Sequence, residues 1–134
     1  MSEREKPILL VVDDMADTRT LMRLTLGRSG WDVHEAKDGS EAIHASLTIK
    51  PDLILMDYQM PEVDGLEACG KIKSNPETAH IPIIIFTGAF SGGTLANQLQ
   101  KRAFELGASE FLVKPILPTD LQSTVKRVYE ESKG

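Results

Sequence analysis

Four short runs of almost unbroken apolar side chains, at residues 8–12, 53–56, 81–86 and 111–113, recur along the chain, and no other feature restricts its fold so tightly. A strand covered on one face alternates apolar and polar residues, whereas one covered on both faces reads as a continuous apolar run. Each run therefore predicts an inner strand of a parallel sheet. Between Trp31 and Ala36 the pattern alternates instead, with Trp31, Val33 and Glu35 opposite Asp32, His34 and Ala36, which predicts a more exposed edge strand. Helical spacings fill the intervals: Leu21 with Leu24, Ala42 and Ile43 with Leu47, Leu66 with Cys69 and Ile72, Leu95 with Leu99, Ala103 and Leu106, and Leu121 with Val125 and Val128. Strand and helix alternate five times. That order predicts a doubly wound α/β domain with right-handed crossovers, helices on both faces and function at the carboxyl ends of the strands.

The 134 residues suffice for one sizeable core and leave no room for a second domain, and no repeat or low-complexity tract marks a boundary. A net charge of -5, with the basic pairs Lys101-Arg102 and Lys126-Arg127 scattered among acids, speaks against direct nucleic-acid binding. Cys69 is the sole cysteine, so neither an internal disulfide nor a CxxC site is available, and it is expected to be a small buried hydrophobe. The first apolar run is five residues long, too short for a signal peptide, and no segment approaches the ~18 apolar residues of a membrane helix. A cytoplasmic home without membrane contact is expected. The sequence stops soon after the fifth helical pattern, which predicts a domain acting alone.

Asp13 and Asp14 follow the first strand, Asp57 the third, Thr87 the fourth and Lys114 the fifth. In a parallel sheet neighbouring strand ends lie only ~5 Å apart, so these residues share one rim. Taken singly, each has a plain explanation: adjacent acids suit a solvated helix start, and a lone strand-end Asp, Thr or Lys is ordinary. Together they define a pocket. Three carboxylates raise one another's pKa unless a cation neutralises them, and oxygen-only ligands suit a hard ion such as Mg2+. His34, His44 and His80 are dispersed, so a zinc or copper site is not expected. The Thr87 hydroxyl and the Lys114 ammonium suit phosphoryl oxygens. The glycine-rich stretch at 88–94 lacks the Gly-Lys-Ser/Thr ending of a phosphate-binding loop and is expected to be a flexible connection.

The segments "VVDD" at 11–14, "LILMDYQMPEVDGLE" at 53–67, "IPIIIFTG" at 81–88 and "GASEFLVKPI" at 107–116 resemble, in order and over about the whole chain, the receiver domain of bacterial two-component response regulators. The resemblance implies a flavodoxin-like (βα)5 fold with sheet order 2-1-3-4-5, forming a single receiver over 1–134 with its core at about 7–132. It implies a signalling switch rather than an enzyme, one that at most catalyses its own phosphorylation and autodephosphorylation. Asp57 would be the phosphoacceptor, attacking a phosphohistidine on a histidine kinase or histidine phosphotransfer protein. Asp13, Asp14, Asp57 and the backbone carbonyl of Gln59 would hold Mg2+, with Mn2+ as a substitute. Lys114 would pair with Asp57 before transfer and with a phosphoryl oxygen after it, while Thr87 and the backbone N–H of Gly88 take the other oxygens. Thr87 and Phe111 would form the switch, Lys114–Pro115 a cis peptide, and the face of the fourth helix, last strand and last helix the docking surface for a downstream protein.

The chain also departs from the family's usual pattern. The interval from Thr87 to Gly107 is several residues longer, which predicts an extended loop or fourth helix beside the site. Position 111 is Phe where many relatives carry Tyr, so any switch works through packing without a hydroxyl. Gln59 stands where the family tunes water access to the acyl phosphate. Gly70, inside the third helix, costs up to ~1 kcal/mol relative to Ala without evident reason. Two rivals remain at this stage. A haloacid dehalogenase-type phosphohydrolase would need an acid two residues beyond the nucleophile, where Gln59 stands, and a cap to enclose substrate. A scaffold indifferent to phosphorylation would not need the complete set of site residues.

Overall fold

The structure, a computed structural model, describes residues 6–88 and 93–133. Among these, five strands alternate with five helices: β1 (Ile8–Val12), α1 (Ala16–Gly27), β2 (Asp32–Ala36), α2 (Gly39–Thr48), β3 (Leu53–Asp57), α3 (Gly65–Ser74), β4 (Ile83–Thr87), α4 (Gly93–Glu105), β5 (Glu110–Val113) and α5 (Pro118–Lys133). All strand pairs are parallel, in the order β2-β1-β3-β4-β5. The alternating strand is at an edge, and the continuous apolar runs of β1, β3 and β4 lie inside, as their patterns predict; the run at 111–113 does not, because β5 is the other edge strand and only Phe111 of it is buried, Leu112 and Val113 remaining partly open. Ile81 and Pro82 fall short of β4. Proline has no N–H for the ladder; the Pro82 carbonyl accepts from Ile54 N instead, while Ile81 N donates to Thr78.

Alternate side chains of each inner strand feed two separate cores. Leu10, Val12, Ile54, Met56, Ile83 and Ile85 pack beneath α2, α3 and α4, joined by Cys69 and Phe111. Leu9, Val11, Leu53, Leu55, Ile84 and Phe86 pack beneath α1 and α5. Both faces of β3 are therefore dry. At roughly 1.5–3 kcal/mol per fully buried aliphatic side chain, this double burial anchors the strand that carries Asp57.

The helix faces follow expectation in α3 and α5 but not in α1. Leu66, Cys69 and Ile72, and Leu121, Val125 and Val128, are buried. In α1 the sheet-facing stripe is Met22, Thr25 and Leu26, and Leu21 and Leu24 stand 60% and 54% exposed. The sequence of α1 carries two adjacent stripes at helical spacing, and the angle at which the helix lands on the sheet selects one. Likewise Ala103 of α4 is buried, whereas Leu95 is exposed. The glycine-rich connection falls partly at residues 89–92, outside the described residues.

Two helices begin on aspartate caps. Asp38 accepts from Glu41 N at 2.8 Å, and Asp64 from Glu67 N at 2.8 Å. Each is worth about 1 kcal/mol and sets where the chain turns. Gly70 gains an explanation: a Cβ there would lie 3.3 Å from Leu106, so the glycine lets α3 approach the end of α4.

Candidate functional site

Strand register alone brings the predicted residues together. Val12 pairs with Met56, which sets Asp13 beside Asp57; Asp57 pairs with Phe86, and Thr87 with Val113, so that Lys114 emerges next to Gly88. Asp57 and Thr87 are the last residues of their strands rather than the first beyond them. The carboxylates of Asp13, Asp14 and Asp57 each place one oxygen within 4.8 Å of the others. Asp13 and Asp57 are buried and Asp14 is exposed.

Asp13 is tied at four atoms. Its N–H donates to Ala36 across the β1–β2 ladder at 3.2 Å, its Oδ1 accepts from Met15 N at 2.8 Å, and its carbonyl accepts from Arg19 Nη1 at 2.8 Å. Its Oδ2 has no hydrogen-bond donor among the described residues but faces Lys114 Nζ at 3.5 Å. The resemblance implies pairing of Lys114 with Asp57; the ion pair formed is with Asp13. Lys114 also sits over the Phe86 ring, 4.6 Å from its centroid, so both the Asp13 Oδ2 atom and a π face hold the ammonium where it lies.

Asp57 Oδ1 accepts from Gln59 N at 3.2 Å. Its pKa is pushed up to about 6, chiefly by burial; Lys114 opposes the rise, and the charges of Asp13 and Asp14 add to it. Mutual repulsion was the expected cause, and desolvation outweighs it because β3 is covered on both faces. Thr87 is fully buried, and its Oγ1 has no partner among the described residues. Gly88 lies beside the Gln59 side chain: a Cβ at 88 would stand 3.6 Å from Gln59 Oε1. The Lys114–Pro115 peptide is cis. Phe111 is turned into the core beneath α3 and α4.

Two contributors escaped sequence reasoning. Gly65 N donates to the Tyr58 carbonyl at 2.9 Å, and a Cβ on Gly65 would run into the carbonyl of Asp57. The chain after the acid thus folds straight back over it, and a cavity of about 460 Å3 opens at the rim between Asp14, Tyr58, Gln59, Met60, Pro61 and Asp64. The motif "DG" before a helix was a visible signal for that turn, but not for its contact with Asp57. Arg19 is the other, and nothing in its sequence context marks it.

Among the described residues the donor set fits a divalent hard cation: three carboxylates, one of them buried with an oxygen lacking a donor, and no imidazole or thiolate in the cluster. Together the fold and site define a class, that of doubly wound parallel α/β proteins with an acidic pocket at the carboxyl rim of the sheet. The chain belongs to the response regulator receiver domain family, which matches it over residues 9–126. It is 39% identical over 126 residues to the transcriptional regulatory protein ResD of Bacillus subtilis, covering 94% of this chain and 49% of that protein. Its fold superposes on the chemotaxis protein CheY4 of Vibrio cholerae with a TM-score of 0.82 at 28% identity, covering 92% of this chain and 98% of that one. The receiver domain of a signal transduction histidine kinase from Syntrophus aciditrophicus gives 0.82 at 30% identity, over 93% and 91% of the two chains. This chain spans about half the length of the curated relatives it matches first. Among the described residues, no helix is long and apolar enough to cross a membrane.

Proposed function

We propose that Asp57 accepts a phosphoryl group from the phosphohistidine of a histidine kinase or histidine phosphotransfer protein in the cytoplasm. The ionised carboxylate attacks phosphorus, an O–P bond forms, the P–N bond breaks, and the departing imidazole nitrogen takes a proton. With its pKa at about 6, Asp57 is mostly ionised at neutral pH, as a nucleophile must be. Asp13, Asp14, Asp57 and the backbone carbonyl of Gln59 would hold Mg2+, or Mn2+ in its place, and the bound ion supplies positive charge between the acids and the phosphoryl oxygens. Lys114 exchanges Asp13 for a phosphoryl oxygen. The Thr87 hydroxyl, without a partner among the described residues, and the Gly88 N–H meet the remaining oxygens.

The observation that carries this reading is the convergence of three carboxylates within 4.8 Å, beside a lysine ammonium that already pairs with one of them. Movement of Thr87 toward the phosphoryl group makes room for the Phe111 ring and biases the face of α4, β5 and α5, where Phe104 and Val113 are exposed, for a downstream protein partner. Any catalysis is confined to its own phosphorylation and autodephosphorylation, the latter governed by the Gln59 amide, whose Oε1 lies beside Gly88. Intact-mass measurement after treatment with acetyl phosphate tests the reading. A single phosphoryl adduct is expected with Mg2+ or Mn2+, absent with chelator and absent in Asp57→Asn; an adduct that survives in Asp57→Asn refutes it.

A further inference from the structure

We infer that Arg19 is a positioning residue for the metal-binding acids, locking the β1–α1 turn to the edge strand β2 through Glu35. The inference rests on the reading of Asp13, Asp14 and Asp57 as a cation site. Only three residues separate Val12 from Ala16, and two of them are neighbouring carboxylates that repel one another. No side chain caps the start of α1, and the turn's local support is the hydrogen bond from Met15 N to Asp13 Oδ1, which leaves the Asp13 carbonyl to be held from elsewhere.

Beyond Val12 the ladder to β2 runs out. The Asp13 N–H still reaches Ala36, but the Asp13 carbonyl, next to a buried side chain, needs a donor from elsewhere. Arg19, one turn into α1, supplies it through Nη1 at 2.8 Å. The same guanidinium donates Nε to Glu35 Oε1 at 2.9 Å, and Arg23 Nε occupies the second Glu35 oxygen at 2.7 Å. Arg19 is 19% exposed and Arg23 50%, so the inner arginine is the better screened. A planar fork bonded at two edges has a fixed orientation, which a lysine point charge does not reproduce. Mg2+ requires near-ideal geometry at about 2.0–2.1 Å from its ligands, so a turn free to shift weakens the site before the ion arrives.

Charge and positioning make opposite forecasts. Removing the Arg19 cation from beside an acidic pocket strengthens cation binding if only Coulomb's law acts; loosening the turn weakens it. Isothermal titration of metal-free protein with MgCl2 is therefore decisive, with thermal midpoints and acetyl phosphate-driven adduct formation measured alongside. Arg19→Gln and Arg19→Lys are both expected to bind Mg2+ about tenfold more weakly, the lower end for groups that orient metal ligands. Saturating Mg2+ should restore the rate of adduct formation to within about twofold of wild type. Arg23→Gln, which leaves the Asp13 contact intact, should change the affinity less than about twofold. Unchanged or tighter binding in Arg19→Gln, a wild-type affinity in Arg19→Lys, or a loss that merely follows unfolding overturns the inference. A wild-type protein that binds no Mg2+ overturns the cation site as well.

Discussion

Asp57 is buried among like charges because the strand beneath it is buried, and that arrangement costs the unmodified, metal-free protein stability. Its pKa is raised from 3.8 to about 6, so the folded state holds the proton more tightly than the unfolded chain. This group's contribution is then fully favourable below pH 3.8 and is lost as pH climbs through about 6. Asp57→Asn should accordingly stabilise the metal-free protein by about 1–2 kcal/mol at pH 7, after allowance for solvent screening at the rim. The gain should shrink to nothing near pH 4 and be reduced by Mg2+, as thermal melts across pH will register. Thr87 presents the converse case, a buried hydroxyl without a partner among the described residues. Thr87→Val should leave unfolding free energy within about 1 kcal/mol of wild type or raise it, while slowing adduct formation from acetyl phosphate. A loss of several kcal/mol on denaturant titration would mean the hydroxyl already has a structural partner.

The connection from β3 to α3 is set against the site by a close backbone approach, whereas α1 is tied to it by the long Arg19 side chain. The segment between β3 and α3 returns so tightly that Gly65 touches the Asp57 carbonyl, and Asp64 caps the helix immediately afterwards. Gly65→Ala should destabilise by about 1–3 kcal/mol through overpacking against rigid backbone and weaken Mg2+ binding in the same variant, because the peptide of Asp57 must move. Full stability with normal Mg2+ affinity would show that the turn has slack. At the other end of the sheet, Trp31 stacks edge-on against Tyr129 with centroids 5.0 Å apart, joining β2 to α5. Its place before β2 puts it on the amino-end rim, as its sequence position predicts.

At the scale of the whole molecule, β3 is, with β1 and β4, a strand that both cores share, so Asp57 is carried by an element buried on both faces. Ile54→Ala should cost about 2–5 kcal/mol in chemical unfolding, with its effect falling on the rim only through the strand's end. The sequence by itself determined the order of elements, the edge position of β2 and the rim on which Asp13, Asp14, Asp57, Thr87 and Lys114 meet. Hydrophobic periodicity reports the local backbone repeat, and parallel strands necessarily end on one side. Only the tertiary structure decided that α1 turns Met22 and Leu26 inward rather than Leu21 and Leu24, that Lys114 reaches Asp13 before Asp57, that burial dominates the Asp57 pKa, and that Arg19 bridges Asp13 to Glu35. Each of those outcomes is a contest between partners remote in the chain or between nearly equivalent helix faces, settled by distances that no local pattern contains.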